Sequence, residues 1–292
     1  MKKYVAADIY DNNGLLLVAK GMEISEKKVS KLKQFGLEEE IIEKTISEKK
    51  VTASNPTVKK PTKSGLNNTM DMFMASMNLL NKKVKGTDLE DFNYCNELLI
   101  DLLFGQEENW RIHLIGLANY ADWVYTHSIN VAILSLMIGK ALGYKEEDLR
   151  ILGVSAFLHD VGYLLIPKSL ILGSSQFDAK DGYIVQQHCD LGKALLDEIP
   201  IEKVCKDVVL QHHERLDGSG YPNGLKTDDI NPCAKIVMIA DSFDAMTSER
   251  PYGEAVSQEM AVKMLQNDVE KYDRNLISIF TDILNPPHFR FV

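Results

Sequence analysis

The spacing of apolar and polar residues separates a short N-terminal part of the chain from a long helical remainder. Two runs with regular apolar positions, residues 3–10 and 14–20, flank turn-forming residues, a pattern typical of a β-hairpin. A serine cap and a closing glycine predict a helix over residues 25–36, and residues 41–46 indicate a returning strand. These patterns predict a small α+β N-terminal domain over residues 1–48, which we expect to be a regulatory module.

The next segment, residues 49–66, is rich in Lys, Ser, Thr and Pro, the composition of a flexible linker. Apolar positions then recur at helical spacing over residues 68–82 and 88–105, which predicts two connecting helices within residues 67–106. The first of these helices carries a methionine stripe, made of Met70, Met74 and Met77. Such a stripe is usually core filler and otherwise a helix-pairing surface, so a homodimer is one interpretation.

From residue 107 onward, helical spacing continues almost to the C-terminus. The predicted helices cover residues 108–117, 119–142, 146–163, 179–197, 200–214, 230–248 and 256–283. The sequence therefore predicts a mainly α fold, with a helical-bundle domain over residues 107–292 behind the small α+β N-terminal domain. Glycines and a proline interrupt the pattern around Gly220, which predicts a loop there.

Composition and charge narrow the classes of partner. The 292 residues are 45% apolar and 26% charged, which is ordinary for a globular protein. A formal net charge of −9 argues against a nucleic-acid polymer or an anionic membrane as partner and favours a small substrate. No segment approaches eighteen uninterrupted apolar residues, and the N-terminus lacks an apolar signal core, so we expect a cytoplasmic protein with no membrane partner.

Five of the seven histidines form a spaced series with two aspartates. The set is His127, His159, Asp160, His188, His212, His213 and Asp241. Imidazole nitrogens and carboxylate oxygens are ligands of first-row transition metals, and two such ions need about six or seven protein ligands. A single histidine is usually a satisfied polar residue in a packed face, but this combination predicts a site for two divalent ions.

The four cysteines, Cys95, Cys189, Cys205 and Cys233, show no CxxC spacing, and we expect reduced, mostly buried thiols. Cys189 directly follows a candidate ligand. Because adjacent residues of a helix point about 100° apart, Cys189 is not expected to be a ligand itself.

The segments around the seven residues resemble the HD-GYP phosphodiesterases, a branch of the HD-domain metal-dependent phosphohydrolases. His159 and Asp160 lie in AFLHDVGYLLIP, His212 and His213 open HHERLDGSGYPNGL, and Asp241 lies in AKIVMIADSFDAMTSERPYGEA. The resemblance covers approximately residues 107–285.

The resemblance implies hydrolysis of cyclic di-GMP to linear pGpG, GMP or both, by a hydroxide that bridges two metal ions. Iron is the metal expected first, with manganese as the alternative. Asp160 would bridge the ions and belong to the catalytic machinery. The other ligands would divide into two shells, one of His127, His159 and Asp241, and one of His188, His212 and His213.

The resemblance also implies substrate contacts by Tyr221 and Gly220 of the DGSGYP loop and by Arg250 of SERPY. The sequence departs from the family pattern at two positions. Tyr163 replaces a lysine three residues after the HD aspartate, and as a candidate catalytic residue it brings no positive charge. Trp123 stands where members with three metals have a glutamate, which agrees with two ions and permits altered turnover.

Three functions therefore remain open from the sequence. The leading one is a cyclic di-GMP phosphodiesterase. The second is a signalling receptor that binds the cyclic dinucleotide and hydrolyses it poorly, and the third is an HD-type hydrolase of other nucleotides, including hybrid cyclic dinucleotides.

Overall fold

The computed structural model describes residues 4–7, 9–10, 16–18, 24, 29, 46–47, 63–83, 89–105, 110–172, 179–249 and 254–284. This part of the chain is mainly α-helical, with only short strands near the N-terminus, and the predicted fold class is confirmed.

Four short strands are described: β1 Tyr4–Val5, β2 Ile9–Tyr10, β3 Leu16–Val18 and β4 Ile46–Ser47. β2 pairs antiparallel with β3, which agrees with the predicted hairpin, and β1 pairs antiparallel with β4. Except for Val29, the predicted helix over residues 25–36 lies outside the described residues, as does most of the predicted strand over residues 41–46.

The described helices are α1 Lys63–Lys83, α2 Leu89–Ile100, α3 Arg111–Tyr120, α4 Asp122–Ala141, α5 Glu146–Phe157, α6 Lys168–Ile171, α7 Ala179–Gln186, α8 His188–Asp197, α9 Lys203–Gln211, α10 Pro232–Thr247, α11 Gln258–Asn267 and α12 Arg274–Leu284. A π-helical turn at Asp101–Gly105 follows α2, and 3-10 turns lie at Val161–Leu165 and Thr227–Asp229.

α4 is the central helix of the bundle. Its sequence is apolar on nearly all sides, and fifteen of its twenty residues are buried, as expected for a helix surrounded by others. α1, α2, α3, α5, α10 and α12 all pack against it, while α9 packs against α5 and α8. A polar residue on α4, such as His127, therefore lies in the interior and needs polar partners there.

Three predicted helices are interrupted in the structure. The predicted helix over residues 179–197 is divided at Gln187 into α7 and α8, so that His188 begins a helix. The predicted helix over residues 146–163 stops at Phe157 and continues as the 3-10 turn Val161–Leu165. The intervening and following residues, His, Asp, Val and Gly, all have low helix propensity. The predicted helix over residues 256–283 is divided into α11 and α12, because the Asp273 carboxylate accepts from two backbone N–H groups and starts a new helix.

α1 also begins earlier than the predicted helix over residues 68–82. α1 begins at Lys63, so residues 63–66, assigned to the linker from their composition, are helical. Once a helix is nucleated and packed, each added residue gains a backbone hydrogen bond, and polar residues can extend it. None of the described helices is long and apolar enough to cross a bilayer.

The methionine stripe is mostly core filler. Met77 is buried and Met70 packs against the core, whereas Met74 is 47% exposed. The expectation of mostly buried thiols is confirmed, since three of the four cysteines are buried. Burial raises the pKa of Cys95 to about 12, which makes this thiol a poor nucleophile.

Candidate metal centre

Five separate segments bring the seven predicted ligands together. His127 and Asp241 lie inside α4 and α10, but the other five residues occupy helix ends. His159 and Asp160 follow α5, His188 is the first residue of α8, and His212 and His213 follow α9. The predicted helices over residues 146–163, 179–197 and 200–214 included these five residues, whereas the structure places them at or beyond helix ends. At helix ends the side chains of adjacent residues, such as His159 and Asp160, can reach one space.

The donor atoms form two compact groups. One donor atom each from Asp160, His188, His212 and His213 lies within 4.8 Å of the other three, and the same holds for His127, His159 and Asp241. Six of the seven residues are buried, and the His213 side chain is 18% exposed.

Asp160 joins the two groups through its two carboxylate oxygens. Oδ2 lies 3.2 Å from His159 Nε2 and 3.7 Å from His127 Nε2. Oδ1 lies 3.2 Å from His188 Nε2 and 3.6 Å from His212 Nε2. One carboxylate therefore faces a different set of imidazoles with each oxygen, which is the geometry required of a ligand shared by two ions.

Backbone carbonyls fix the orientation of three of the histidines. Nδ1 lies within hydrogen-bonding distance of a carbonyl three residues earlier in each case: Ala156 for His159 at 2.7 Å, Val185 for His188 at 2.7 Å and Val209 for His212 at 3.0 Å. Because Nδ1 donates to these carbonyls, Nε2 is left as an acceptor that faces the cluster.

A buried carboxylate orients the fourth histidine. His127 Nδ1 lies 2.7 Å from Asp244 Oδ2, and His127 Nε2 lies 3.1 Å from Asp241 Oδ1. Asn130 donates to the other Asp244 oxygen, and Ser76 of α1 donates in turn to the Asn130 side-chain oxygen. Asp244 was not predicted as part of the site, although its position three residues after Asp241 places both carboxylates on one face of α10.

The electrostatics of the cluster fit a bound cation. Burial alone would raise the pKa of Asp160, but the neighbouring His159, His212 and His188 outweigh it and hold this pKa well below its usual value. Burial lowers the pKa of His188 to about 4, so this imidazole is neutral near pH 7. His159 Nε2 and Asp160 Oδ1 are buried and have no hydrogen-bond partner in the described part of the chain. Such atoms are suitable ligands for a divalent transition metal.

A second buried acid, Glu214, holds the loop that follows the paired histidines. Its side chain is fully buried, and its two oxygens accept from the backbone N–H groups of Asn223, Gly224 and Leu225 at 2.7, 3.1 and 2.9 Å. Glu214 was not predicted as part of the site, although its place directly after His213 in the sequence was a signal of such a role.

Gly220 has a steric reason to be glycine. A Cβ at this position would collide with the backbone of Glu214 and Arg215, so only glycine lets the loop lie directly on this segment. Its assignment as a substrate contact stays a prediction. Arg250, which is the predicted substrate contact in SERPY, is not among the described residues.

Tyr221 and Tyr163 both lie against histidines of the cluster. The Tyr221 ring is 4.7 Å from the His213 ring, and burial followed by nearby negative groups raises the pKa of Tyr221 well above its usual value, so it remains a donor. Tyr163 is in a 3-10 turn, not one α-helical turn beyond His159 as predicted. Its ring nevertheless stacks on His188 at 4.5 Å and 25°, with Trp123 tilted against its edge at 6.3 Å.

A family model and several known proteins match the chain. A model of the HD domain family matches residues 114–276, more than half of the chain. The cyclic di-GMP phosphodiesterase response regulator RpfG of Xanthomonas campestris pv. campestris is 38% identical over 131 residues, which cover 44% of this chain and 35% of that protein. The 3'3'-cGAMP-specific phosphodiesterase 3 of Vibrio cholerae serotype O1 is 31% identical over 143 residues, which cover 49% of this chain and 31% of that protein. The chain thus spans about a third of the length of these relatives.

A solved structure shows a similar fold. Bd1817, an HDG"Y"P protein from Bdellovibrio bacteriovorus, matches with a TM-score of 0.51 and 18% identity over 97% of this chain and 94% of that chain. At this identity, the likeness concerns the fold alone.

Replacing Asp244 by asparagine is expected to weaken metal binding about 10–100-fold, the usual effect of losing a partner that orients a ligand. The asparagine side chain has one oxygen and one NH2 group in place of the two carboxylate oxygens. Its NH2 group would therefore face a second donor, either His127 Nδ1 or Asn130 Nδ2. Competition with a chelator measures the affinity, and Asp268→Asn, at an exposed position, is the matched control. Equal affinities for the two variants would contradict this role.

Glu214→Gln is expected to loosen the loop over residues 217–226 without changing metal stoichiometry. The amide nitrogen would face at least one of the three backbone N–H groups, at a cost of about 1–3 kcal/mol. Hydrogen exchange should become faster at Asn223, Gly224 and Leu225. Exposed Glu198→Gln is the control, and unchanged exchange at the loop amides would show that Glu214 is dispensable.

Proposed function

We propose a cyclic-dinucleotide phosphodiesterase activity for this chain, which belongs to the HD domain family. The substrate that the sequence favours is cyclic di-GMP, and the products would be pGpG, GMP or both. The observation that carries the proposal is Asp160, whose two oxygens face two groups of buried imidazoles. A carboxylate in that position could bind two cations that lie close together, as hydrolysis by a two-metal mechanism requires.

The residues that would hold the cations follow from the two groups of donors. His127, His159 and Asp241 would hold one ion and His188, His212 and His213 the other, with Asp160 shared. Two divalent ions would lower the pKa of a nearby water and neutralise charge on the phosphate oxygens. Nitrogen and carboxylate donors suit ions of intermediate hardness, with iron as the first choice and manganese as the alternative.

The side chains around the cluster would position the dinucleotide. Tyr221 keeps its proton and can donate to a phosphate oxygen or a base edge from its place beside His213. Glu214 fixes the path of the loop that carries Tyr221, so the phenol is held in place before substrate arrives. Arg250 remains a proposed contact to phosphate or guanine.

The second candidate is a receptor that binds the cyclic dinucleotide and hydrolyses it slowly. The observation in its favour is Tyr163, which stacks on His188 and brings no positive charge to the cluster. A fixed positive charge at that place, such as that of a lysine, would stabilise the extra negative charge of the transition state. Turnover distinguishes this candidate from the leading one.

We also propose that residues 1–48 form a separate module, joined by a linker to the connecting helices 67–106 and the catalytic domain 107–292. All seven proposed ligands lie in the last of these parts. The methionine-rich helix α1, on which Met74 is exposed, would be the contact surface of a homodimer.

The full chain, purified without oxygen and supplied with iron or manganese, is expected to convert cyclic di-GMP to pGpG or GMP. Chromatography of the products over time measures this, and 3'3'-cGAMP is the competing substrate. Asp160→Ala should lose both the ions and the activity, while exposed Asp229→Asn should keep them. Binding of cyclic di-GMP without product by the metal-loaded chain would instead support the receptor.

Tyr163→Lys is expected to change kcat more than the affinity for the dinucleotide, because a charge near the scissile phosphate acts mainly on the transition state. Tyr163→Phe keeps the ring that stacks on His188 and removes only the hydroxyl. Comparison of kcat and affinity for the three enzymes separates charge, hydroxyl and packing. Three indistinguishable enzymes would mean that the residue is only a packing element.

A truncated chain that begins at Lys63, the first residue of α1, is expected to retain the metals and the activity of the full chain. The measurements are metal stoichiometry and the product assay. A folded, metal-loaded truncation with no activity would show that the first 48 residues contribute to the site.

A further inference from the structure

We propose that Cys189 provides a sulfur ligand to the ion held by Asp160, His188, His212 and His213. The inference rests on the metal centre proposed above and adds an eighth donor to it. It also changes the chemical character of one of the two ion sites.

The geometry places the thiol beside a ligand atom. Cys189 is fully buried, and its Sγ lies 3.5 Å from His188 Nε2. If the ion–nitrogen and ion–sulfur bonds are about 2.1 and about 2.3 Å, as in zinc proteins, a 3.5 Å separation corresponds to an angle of about 105° at the ion. This value lies within the range of angles between neighbouring ligands of a four- or five-coordinate ion, so both atoms can bind the same ion.

Other atoms identify this place as a ligand position independently of the thiol. His188 Nδ1 is engaged by the Val185 carbonyl, so Nε2 is the nitrogen available to an ion. Asp160 Oδ1 lies 3.2 Å from that Nε2, is buried and has no hydrogen-bond partner within the described ranges. The thiol thus borders a space already lined by two donors that a cation would satisfy.

The sulfur lies at the edge of the group and not inside it. It is not among the four donor atoms that lie within 4.8 Å of one another, so ligation requires it to move inward by rotation about its Cα–Cβ bond. On binding, the S–H bond breaks, the sulfur bonds to the ion and the proton passes to solvent.

The helix start explains why sequence spacing excluded Cys189. The 100° rule assumes that both side chains leave a regular helix in their own directions. His188 is the first residue of α8, and its ring turns back to the carbonyl of Val185, in the preceding α7. The imidazole and the neighbouring thiol therefore converge instead of diverging.

A sulfur donor would make the two sites unequal. The His127, His159 and Asp241 group offers only nitrogen and oxygen, whereas the other would hold a soft thiolate as well. Thiolate favours zinc and iron over manganese or magnesium. The sulfur-containing site is then expected to bind the softer ion when two metals compete.

X-ray absorption of the full chain loaded with two equivalents of zinc tests the proposal without substrate or turnover. A sulfur shell at about 2.3 Å is expected beside the nitrogen and oxygen shell at about 2.0–2.1 Å. Two bound zinc ions with no sulfur shell in the wild-type protein would overturn the ligand role of Cys189 and leave the phosphodiesterase proposal intact. Failure to bind zinc or iron at all would overturn both.

Two cysteine variants test whether the sulfur ligand is Cys189. Cys189→Ser should remove the sulfur shell, and also the near-ultraviolet sulfur-to-metal absorption of the cobalt-loaded protein. It should also weaken one of the two zinc-binding steps by at least about 10-fold, the lower end of the effect of losing an orienting partner. Cys233→Ser is the matched control and should change neither spectrum. If Cys189→Ser does not fold, the wild-type spectrum still decides the question, and a sulfur shell that persists in a folded Cys189→Ser protein would contradict the assignment.

Discussion

The carboxylate of Asp160 imposes the strongest constraint on this structure. It is buried between two groups of imidazoles, and a buried negative charge is costly unless it is compensated. The surrounding histidines hold its pKa well below the usual value, and His159 and His188 present Nε2 to it because their Nδ1 atoms contact backbone carbonyls. A bound cation would compensate the buried charge further, which would couple the stability of this part of the fold to metal binding.

The main features of the fold and the composition of the cluster could be predicted from the chain. The apolar periodicity identified the helices, and the number of histidines and aspartates indicated the chemistry. The ends of helices could not be read as well, because continuation past Phe157 depends on weak local propensities of the HDVG segment. The 3-10 position of Tyr163 was missed for the same reason, and the convergence of Cys189 with His188 was missed because the predicted helix over residues 179–197 hid the helix start at His188.

The residues that support the ligands were harder to find than the ligands. Asp244 and Glu214 are ordinary acids in the sequence, and their value comes from burial and from the donors that tertiary packing brings to them. Asn130 and Ser76 belong to the same network but come from α4 and α1, far apart in the chain. A periodic pattern shows which residues face the interior and does not show which polar atoms meet there.

The contacts of Glu214 have a consequence for how this protein can change during evolution. The carboxylate accepts from the backbone N–H groups of residues 223–225. Every residue except proline has such a group, so Asn223 and Leu225 can be replaced without removing these hydrogen bonds, whereas Gly224 has a φ of 68°, which favours glycine. Variation at the two outer positions can therefore adjust which ligand is admitted beside Tyr221, while one buried acid and one glycine preserve the path of the loop.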